Sequence, residues 1–345
     1  MRGGVSSDFE QHRLGVAVVG LGIGEQHARA YQTIKNCQLR WLYDVEREKA
    51  EYLAEQLGEG MPARTFEQIL QDPEIKIVSI ASYDDAHGDQ VIAALEAGKH
   101  VFVEKPLCRT LAELQAIKRV WGRHRSVVKL SSNLVLRAAP VYQWLRQKMR
   151  AGEFGSLYAF DGEYLYGRLE KITQGWRKSV SDYSVMQGGG IHLIDLLLWT
   201  TEERPLSVFA MGNRICTRQT AFRFSDYVAA TLRFESGLIG RISANFGCVH
   251  RHQHVVRVFG THATFVHDDA GPRLHLTRDP TATAAPVALP PLPMSKGALI
   301  APFVSAILTN ANLDTHTQTL FDAISICAAC NESLRTCSEV EVAYI

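Results

Sequence analysis

Apolar residues in the first third of this chain fall in short, mostly unbroken runs with amphipathic stretches between them. Residues 14–20, 37–43, 75–81, 100–104 and 127–131 are rich in β-branched and other apolar side chains, the pattern of strands covered on both faces. Residues 25–34, 46–57, 65–70, 90–97 and 111–124 instead carry helical periodicity, and Gly58 and Gly98 stand where glycine closes a helix. Strands alternating with helices of about ten residues imply βαβ units and a parallel sheet with both faces covered. Beyond residue 132 the texture changes. Residues 140–151 read as a helix, and residues 158–166, 206–213, 227–234, 238–246 and 255–259 alternate as in an antiparallel sheet with one packed face. Residues 280–293 read as a loop rich in Pro, Ala and Thr, and residues 303–308 and 319–337 return to helix. The expectation is two α/β domains, residues 1–131 with a parallel sheet and residues 132–345 with an antiparallel one.

Composition narrows the classes. The 345 residues suit two domains, and 46% hydrophobic with 21% charged residues is ordinary for a soluble globular chain. A net charge of +1 lacks the basic excess of a nucleic-acid binder, so no nucleic-acid partner is expected. The polar first 13 residues lack the apolar core of a secretory signal. Asp195 interrupts residues 193–200, among the longest apolar stretches, far short of the ~20 residues of a membrane span. Seven scattered cysteines argue for free thiols in a reducing compartment, so a cytoplasmic protein without a membrane partner is expected. Cys327 and Cys330 form a lone Cys-x-x-Cys in an apolar helical run with no second ligand pair, which reads as packing rather than a metal or redox site.

The chemistry begins after the first strand. Gly20-Leu-Gly22-Ile-Gly24 forms a glycine turn at the start of a helix, where free N–H groups and the helix dipole favour a pyrophosphate. Gly20, Gly22, Ile23 and Gly24 are therefore expected to hold a nicotinamide dinucleotide on a Rossmann fold. Asp44 closes the second strand, 20 residues beyond Gly24. A carboxylate there accepts both ribose hydroxyls and repels a 2′-phosphate, favouring NAD, while nearby Arg47 keeps NADP open. Glu104-Lys105-Pro106 ends the strand at residues 100–104, and a lysine at the carboxyl end of a parallel strand lies at the ligand crevice.

Four segments together carry a family resemblance: the glycine turn with His27-Ala-Arg-Ala-Tyr31, Ala81-Ser-Tyr-Asp-Asp-Ala-His87, the run from Ala93 through Glu104-Lys105-Pro106-Leu107, and Gly188-Gly-Gly-Ile-His192-Leu-Ile-Asp195. Over nearly its whole length the chain resembles the glucose–fructose oxidoreductase, inositol dehydrogenase and rhizopine-catabolism (Gfo/Idh/MocA) family. The resemblance implies an N-terminal Rossmann fold and a C-terminal α/β domain with a large, mostly antiparallel open sheet, with NAD or NADP at the junction. It implies hydride transfer at a hydroxyl or keto carbon of a sugar, cyclitol or nucleotide sugar, and a homodimer or homotetramer formed through the open sheet. Lys105 matches the family's active-site lysine, which would stabilise charge on the reacting oxygen, and His192 its acid/base histidine. Asp195 would bind substrate hydroxyls or orient the histidine. Ser82, Asp84 and His87 match the loop that passes the cofactor's phosphates and ribose. Glu104 and Asn133 are counted with the cofactor, and Arg137, Trp176 and Arg177 with the substrate.

Two departures stand out. Gly188 occupies the position, four before His192, where members often carry an acidic or amide residue, and the glycine turn is one residue shorter before His27. The first leaves room for an alternative, a dinucleotide-binding sensor or assembly subunit without turnover, or an enzyme that recycles a tightly held NAD. Finally, His250-Arg-His252-Gln-His254 alternates as on one strand face. No acidic or cysteine ligand is evident in the nearby sequence, so an anionic substrate group or a subunit contact is expected there rather than a metal.

Overall fold

The computed structural model describes residues 13–180 and 182–345; the polar first 13 residues, all but Arg13, lie outside them, as does the start of the expected first domain. The first sheet contains β1 (Leu14–Val19), β2 (Cys37–Tyr43), β3 (Met61–Pro62), β4 (Ile75–Ile80), β5 (His100–Val103) and β6 (Leu130–Ser132) in the order β3-β2-β1-β4-β5-β6. Every pairing in it is parallel. Helices α1 (Gly24–Gln32), α2 (Arg47–Leu57), α3 (Phe66–Gln71), α4 (His87–Glu96) and α5 (Leu111–His124) connect the strands. Their ends follow local chemistry. Thr65 caps α3 by accepting from the Gln68 N–H, and Thr110 with Glu113 forms a capping box on α5. Gly58 ends α2 in the left-handed conformation. The order reverses between β1 and β4, the switch point where such sheets bind ligands at their carboxyl ends.

The second half contains α6 (Pro140–Arg150), β7 (Leu157–Leu165), α7 (Glu170–Thr173), α8 (Ile191–Thr201), β8 (Pro205–Asn213), β9 (Tyr227–Phe234), β10 (Ile239–Asn245), β11 (Gln253–Gly260), β12 (Thr264–Asp268), β13 (Gly271–His275), β14 (Ala285–Pro286), α9 (Ile300–Leu308), α10 (Asp314–Thr336) and β15 (Val340–Glu341). Nine strands form one sheet, β14-β13-β12-β11-β7-β10-β9-β8-β15. Its pairs are antiparallel except β7 with β10, which are parallel. Helix α8 is buried almost all round against this sheet; Leu193 touches the place where a side chain on Gly162 would stand.

The C-terminal helices return to the first sheet. Ile300, Phe303 and Val304 of α9 join the core of Val16, Val18 and Phe102, with the Phe102 and Phe303 rings 5.5 Å apart. Burying each such side chain contributes about 1.5–3 kcal/mol. In α10, Thr317 donates to the Leu130 carbonyl at 2.9 Å and Phe321 meets Trp121 edge-on. The two sheets are thus clamped into one body around a shared cleft.

Periodicity missed the shortest strands. β3 and β14 have two residues each and contain proline, while β13 is only half-buried and carries Arg273 and His275, so none shows an apolar repeat. The 280–293 stretch contains β14 at the sheet edge, and β6 begins three residues later than expected because Val127 and Val128 lie in the preceding turn. Among the described residues no helix is long and apolar enough to cross a membrane.

Candidate active site

A cleft of about 290 Å³ opens at the carboxyl ends of the first sheet, bordered by Gly20, Gly22, Ile23 and Asp44 on one side of the switch point and Ser82, Asp84 and His87 on the other. Glu104 and Lys105 form its inner end, and Trp176 and Arg177 reach it from the second half of the chain, with Trp176 5.3 Å from Tyr83. The glycines differ in their reasons. Gly20 has φ +81°, and a Cβ there would overlap the Ser82 backbone. At Gly22 a Cβ would meet nothing within 4 Å, so the backbone faces open space. A Cβ on Gly24 would press on Val18, so this glycine seats α1 against β1 instead of lining the cleft. No side chain caps α1, and although the Gln26 N–H bonds the Ile23 carbonyl at 2.9 Å, a helix start of this kind favours an anion.

Asp44 is anchored: Oδ2 accepts from the Leu21 N–H at 2.7 Å and Oδ1 from the Glu46 N–H at 3.0 Å. Each oxygen keeps further acceptor capacity, and Asp44 borders the cleft. Arg47 turns to Glu51 and does not border the cleft; Lys49 does, paired with Glu46. These residues fit a nicotinamide dinucleotide: an open glycine for the pyrophosphate, an uncapped helix start and a held carboxylate for the ribose. Opposite Asp44, His87 donates from Nδ1 to the Pro106 carbonyl at 2.7 Å, with Nε2 3.2 Å from the Ser82 carbonyl. It ties the loop after β4 to the turn that carries Lys105, whose peptide bond to Pro106 is cis.

Beneath the cleft lies a buried network. Glu104 Oε1 accepts from Asn133 Nδ2 at 2.6 Å and lies 3.2 Å from His27 Nε2; His27 Nδ1 lies 3.0 Å from the Ser79 hydroxyl. Burial alone would raise the Glu104 pKa, but His27, Lys105 and Asn133 outweigh it and hold the carboxyl at about 2. Asn133 also donates to the Lys296 carbonyl at 2.7 Å, so it sits behind the cleft, binding a C-terminal loop to the first sheet.

Lys105 reaches across the junction and donates from Nζ to the Gly188 carbonyl at 3.0 Å. Gly188 lies in a wide helical turn, Met186–Gly190, just before α8. A Cβ on Gly188 would overlap the Tyr183 hydroxyl, and one on Gly189 would overlap the Tyr164 ring. The glycines therefore make room for two tyrosines, and the Tyr183 hydroxyl stands where a polar side chain at 188 would lie. His192, in the first turn of α8, is 6% exposed, and its Nδ1 has no hydrogen-bond partner among the described residues. Burial, then the charge of Lys105, pushes its pKa well below the usual histidine value, so the ring is neutral at pH 7.

Asp195 and Arg137 are brought together, but not to this cleft. Asp195 is fully buried and accepts from Arg137 Nε at 2.9 Å and Nη2 at 2.5 Å. Arg137 also donates to His316 Nδ1 at 2.9 Å and the Thr319 hydroxyl at 2.7 Å, linking α8 to α10 along a separate groove.

Four participants escaped the sequence reading: His27 as a site residue, Tyr164, Tyr183 and Lys296. For His27 the signal was present, a histidine in the first turns of the dinucleotide helix. Tyr183 and Lys296 lie in irregular loops where periodicity carries nothing. Of the alternating histidines, His250 turns away to pair with Asp269 at 3.0 Å, whereas His252 and His254 turn toward His192. Cys327 and Cys330 are buried in α10, and all seven cysteines are free.

Comparison with known proteins agrees with this arrangement. Residues 14–131 match a family described as "Oxidoreductase family, NAD-binding Rossmann fold", and residues 142–266 match the "GFO/IDH/MocA C-terminal domain". Myo-inositol 2-dehydrogenase of Thermotoga maritima is 26% identical over 253 residues, 71% of this chain and 72% of the relative. Scyllo-inositol 2-dehydrogenase (NAD(+)) of Bacillus subtilis is 27% identical over 260 residues, 73% of this chain and 72% of the relative. A levoglucosan dehydrogenase solved in complex with NADH superposes with a TM-score of 0.84 at 22% identity, covering 96% of this chain and 100% of that one.

Proposed function

The chain belongs to the Gfo/Idh/MocA oxidoreductase family, two of whose domain profiles together span well over half of it, and from that premise we propose that Lys105 and His192 carry out NAD(P)-dependent hydride transfer at a sugar or cyclitol carbon. The protein is an NAD(P)-dependent oxidoreductase acting on CH–OH groups. The observation that carries the residue assignment is that Lys105, which borders the cleft, donates to the Gly188 carbonyl four residues before His192, whose buried, neutral ring keeps Nδ1 unpartnered among the described residues.

NAD(P), when bound, supplies the nicotinamide carbon that exchanges the hydride. The Lys105 ammonium donates to the substrate oxygen and stabilises charge developing there. Its Gly188 carbonyl partner aims it without neutralising it. His192, neutral and with Nδ1 unpartnered, takes the hydroxyl proton in oxidation and returns it in reduction. Tyr183 takes up the space left open at Gly188 and supplies a hydroxyl near the reacting groups. Asp195 acts at one remove as a positioning residue: its bond to Arg137 fixes α8 and so the His192 ring. Asp44 favours NAD, because a 2′-phosphate would meet a carboxylate already fixed by two backbone N–H groups.

Self-association through the nine-stranded sheet is the expected assembly. Its outer face exposes Phe209, Met211, Tyr158 and Ile239, an apolar surface of the kind that marks an interface. The seven free cysteines support a reducing, cytoplasmic setting.

The test is to screen neutral and charged sugars and cyclitols for NADH production with wild type, Lys105→Met and His192→Ala. Each variant should retain NADH binding and lose about 10²–10⁴ in kcat. Bound dinucleotide with no turnover on any class would favour the sensor reading instead.

A further inference from the structure

Glu104 and Lys105 are neighbours in the chain, border the same cleft and carry opposite charges, yet their side chains do not pair. The Lys105 ammonium donates to the Gly188 carbonyl at 3.0 Å, and the ion pair that Glu104 makes among the described residues is with His27. Hydride transfer with Lys105 on the substrate oxygen needs this separation. An ammonium has three N–H donors, and with one on Gly188 two remain for the substrate. A carboxylate within hydrogen-bond reach would take a donor and cancel the charge that stabilises the reacting oxygen.

The surroundings of Glu104 keep its carboxylate engaged elsewhere. Backbone bonds seat it first: the Glu104 N–H bonds the Ile80 carbonyl at 2.7 Å, and the Asn133 N–H bonds the Val103 carbonyl at 2.8 Å. Two side chains then close on Oε1. Asn133 Nδ2 donates to it at 2.6 Å and spends its other hydrogen on the Lys296 carbonyl at 2.7 Å. His27 Nε2 lies 3.2 Å from the same oxygen, and because an ionised carboxylate only accepts, Nε2 carries the proton. The far side of the ring is held as well, with Nδ1 3.0 Å from the Ser79 hydroxyl and the ring edge-on to Phe102 at 5.4 Å. Both lone pairs of Oε1 are thereby filled, and Oε2 lies 3.3 Å from the Lys105 backbone N–H. Burial alone would raise the Glu104 pKa, but His27 foremost holds it at about 2, so the group is a full negative charge at neutral pH.

We propose that His27 is a positioning residue for Lys105: with Asn133 it fastens the Glu104 carboxylate beside the lysine as a counter-charge that takes no hydrogen bond from the ammonium. This rests on the reading of the cleft as a dehydrogenase site with Lys105 on the substrate oxygen. A nearby carboxylate lowers the cost of holding an ammonium in a partly buried place, and a carboxylate already satisfied leaves that ammonium its donors. His27 is 0% exposed and does not border the cleft, so it acts only through Glu104. Removing the imidazole leaves a buried oxygen short of a donor, and the Lys105 ammonium, next in the chain, is free to turn and fill it.

The experiment compares the full chain with His27→Leu, His27→Gln, Glu104→Gln and the double variant His27→Leu with Glu104→Gln, all with NADH bound. The first readout needs no turnover: the rate at which acetic anhydride labels Lys105 at about pH 8, followed by peptide mass spectrometry. An ammonium held by a carboxylate sheds its proton less readily, so His27→Leu should label about threefold or more slower than wild type. His27→Gln, whose amide can still donate to Oε1, should stay near wild type, and the double variant should label as fast as Glu104→Gln because no carboxylate remains to hold the lysine. On the sugar or cyclitol that the screen identifies, His27→Leu should lose about tenfold or more in kcat, with KM and NADH affinity within about threefold. The double variant should be more active than His27→Leu, whereas a merely structural role for His27 makes it no better. Wild-type labelling in His27→Leu, or a double variant that labels as slowly as His27→Leu, would overturn the proposal. Should His27→Leu not fold, Asn133→Ala removes the other donor on Oε1: slowed labelling there supports the proposal and wild-type labelling overturns it. The expected labelling pattern without turnover on any sugar or cyclitol would support the seating of Lys105 by His27 and count against the dehydrogenase reading.

Discussion

Removal of one carboxylate, in Asp195→Ala, tests the structural account most directly. Asp195 is fully buried, and its oxygens take Arg137 Nε at 2.9 Å and Nη2 at 2.5 Å. Arg137 is itself 6% exposed, so alanine at 195 leaves a guanidinium with no counter-ion and little access to water. Removing one partner of a buried pair costs about 3–5 kcal/mol, against a typical total stability of about 5–15 kcal/mol. At roughly 2–4 °C per kcal/mol for chains of a few hundred residues, Tm should fall by roughly 6–20 °C. Urea unfolding should show a lower midpoint at unchanged slope. Well below its midpoint the variant should keep kcat within about tenfold, because the carboxylate touches Arg137 and not the cleft. The double substitution Arg137→Met with Asp195→Leu should recover much of the stability, since neither charge then remains buried. A wild-type Tm in Asp195→Ala would refute the energetic argument. A kcat loss above 100-fold at unchanged stability would show instead that the carboxylate takes part in the reaction.

Three further outcomes follow from the cleft. Gly22→Ala should fold with wild-type Tm, because its Cβ meets nothing within 4 Å, yet lose at least tenfold in NADH affinity by fluorescence titration; Gly20→Ala should be destabilised outright by its φ of +81° and overlap with Ser82. Burial, Lys105 and the neighbouring histidines and Lys296 keep the His192 pKa well below 6.5, so the base form persists as pH falls, and kcat/KM for oxidation should stay flat from pH 8 through pH 6. Removing the lysine charge in Lys105→Met should move the acid limb of the residual activity upward, and a wild-type limb at or above pH 6.5 would contradict this. Gly188→Ala forces a methyl into the Tyr183 hydroxyl and should cost more than tenfold in kcat/KM, whereas Gly188→Ala with Tyr183→Phe should regain part of it; equal activity in the single variant and wild type would remove Tyr183 from the site.

The amino-acid sequence by itself determined the features that rest on neighbours in the chain. Unbroken apolar runs set β1, β4 and β5, because a strand covered on both faces needs no alternation, and helical periodicity set α2 and α5. The spacing of Gly20 and Gly22 from Asp44, and Lys105 at a strand end, pick out residues that border one cleft, whereas Gly24 packs behind it. The short strands β12 to β15 were not legible, since pairing holds them and not periodicity. Only the tertiary structure decided which polar groups meet. Asp195 finds Arg137 across 58 positions, Lys105 finds Gly188 across 83, and Asn133 finds Lys296 across 163. No local pattern encodes such partners, because they depend on how helices and loops are stacked against the two sheets. For the same reason the glycines before His192 looked like a missing polar group, whereas in the folded chain Tyr183 occupies the space they leave.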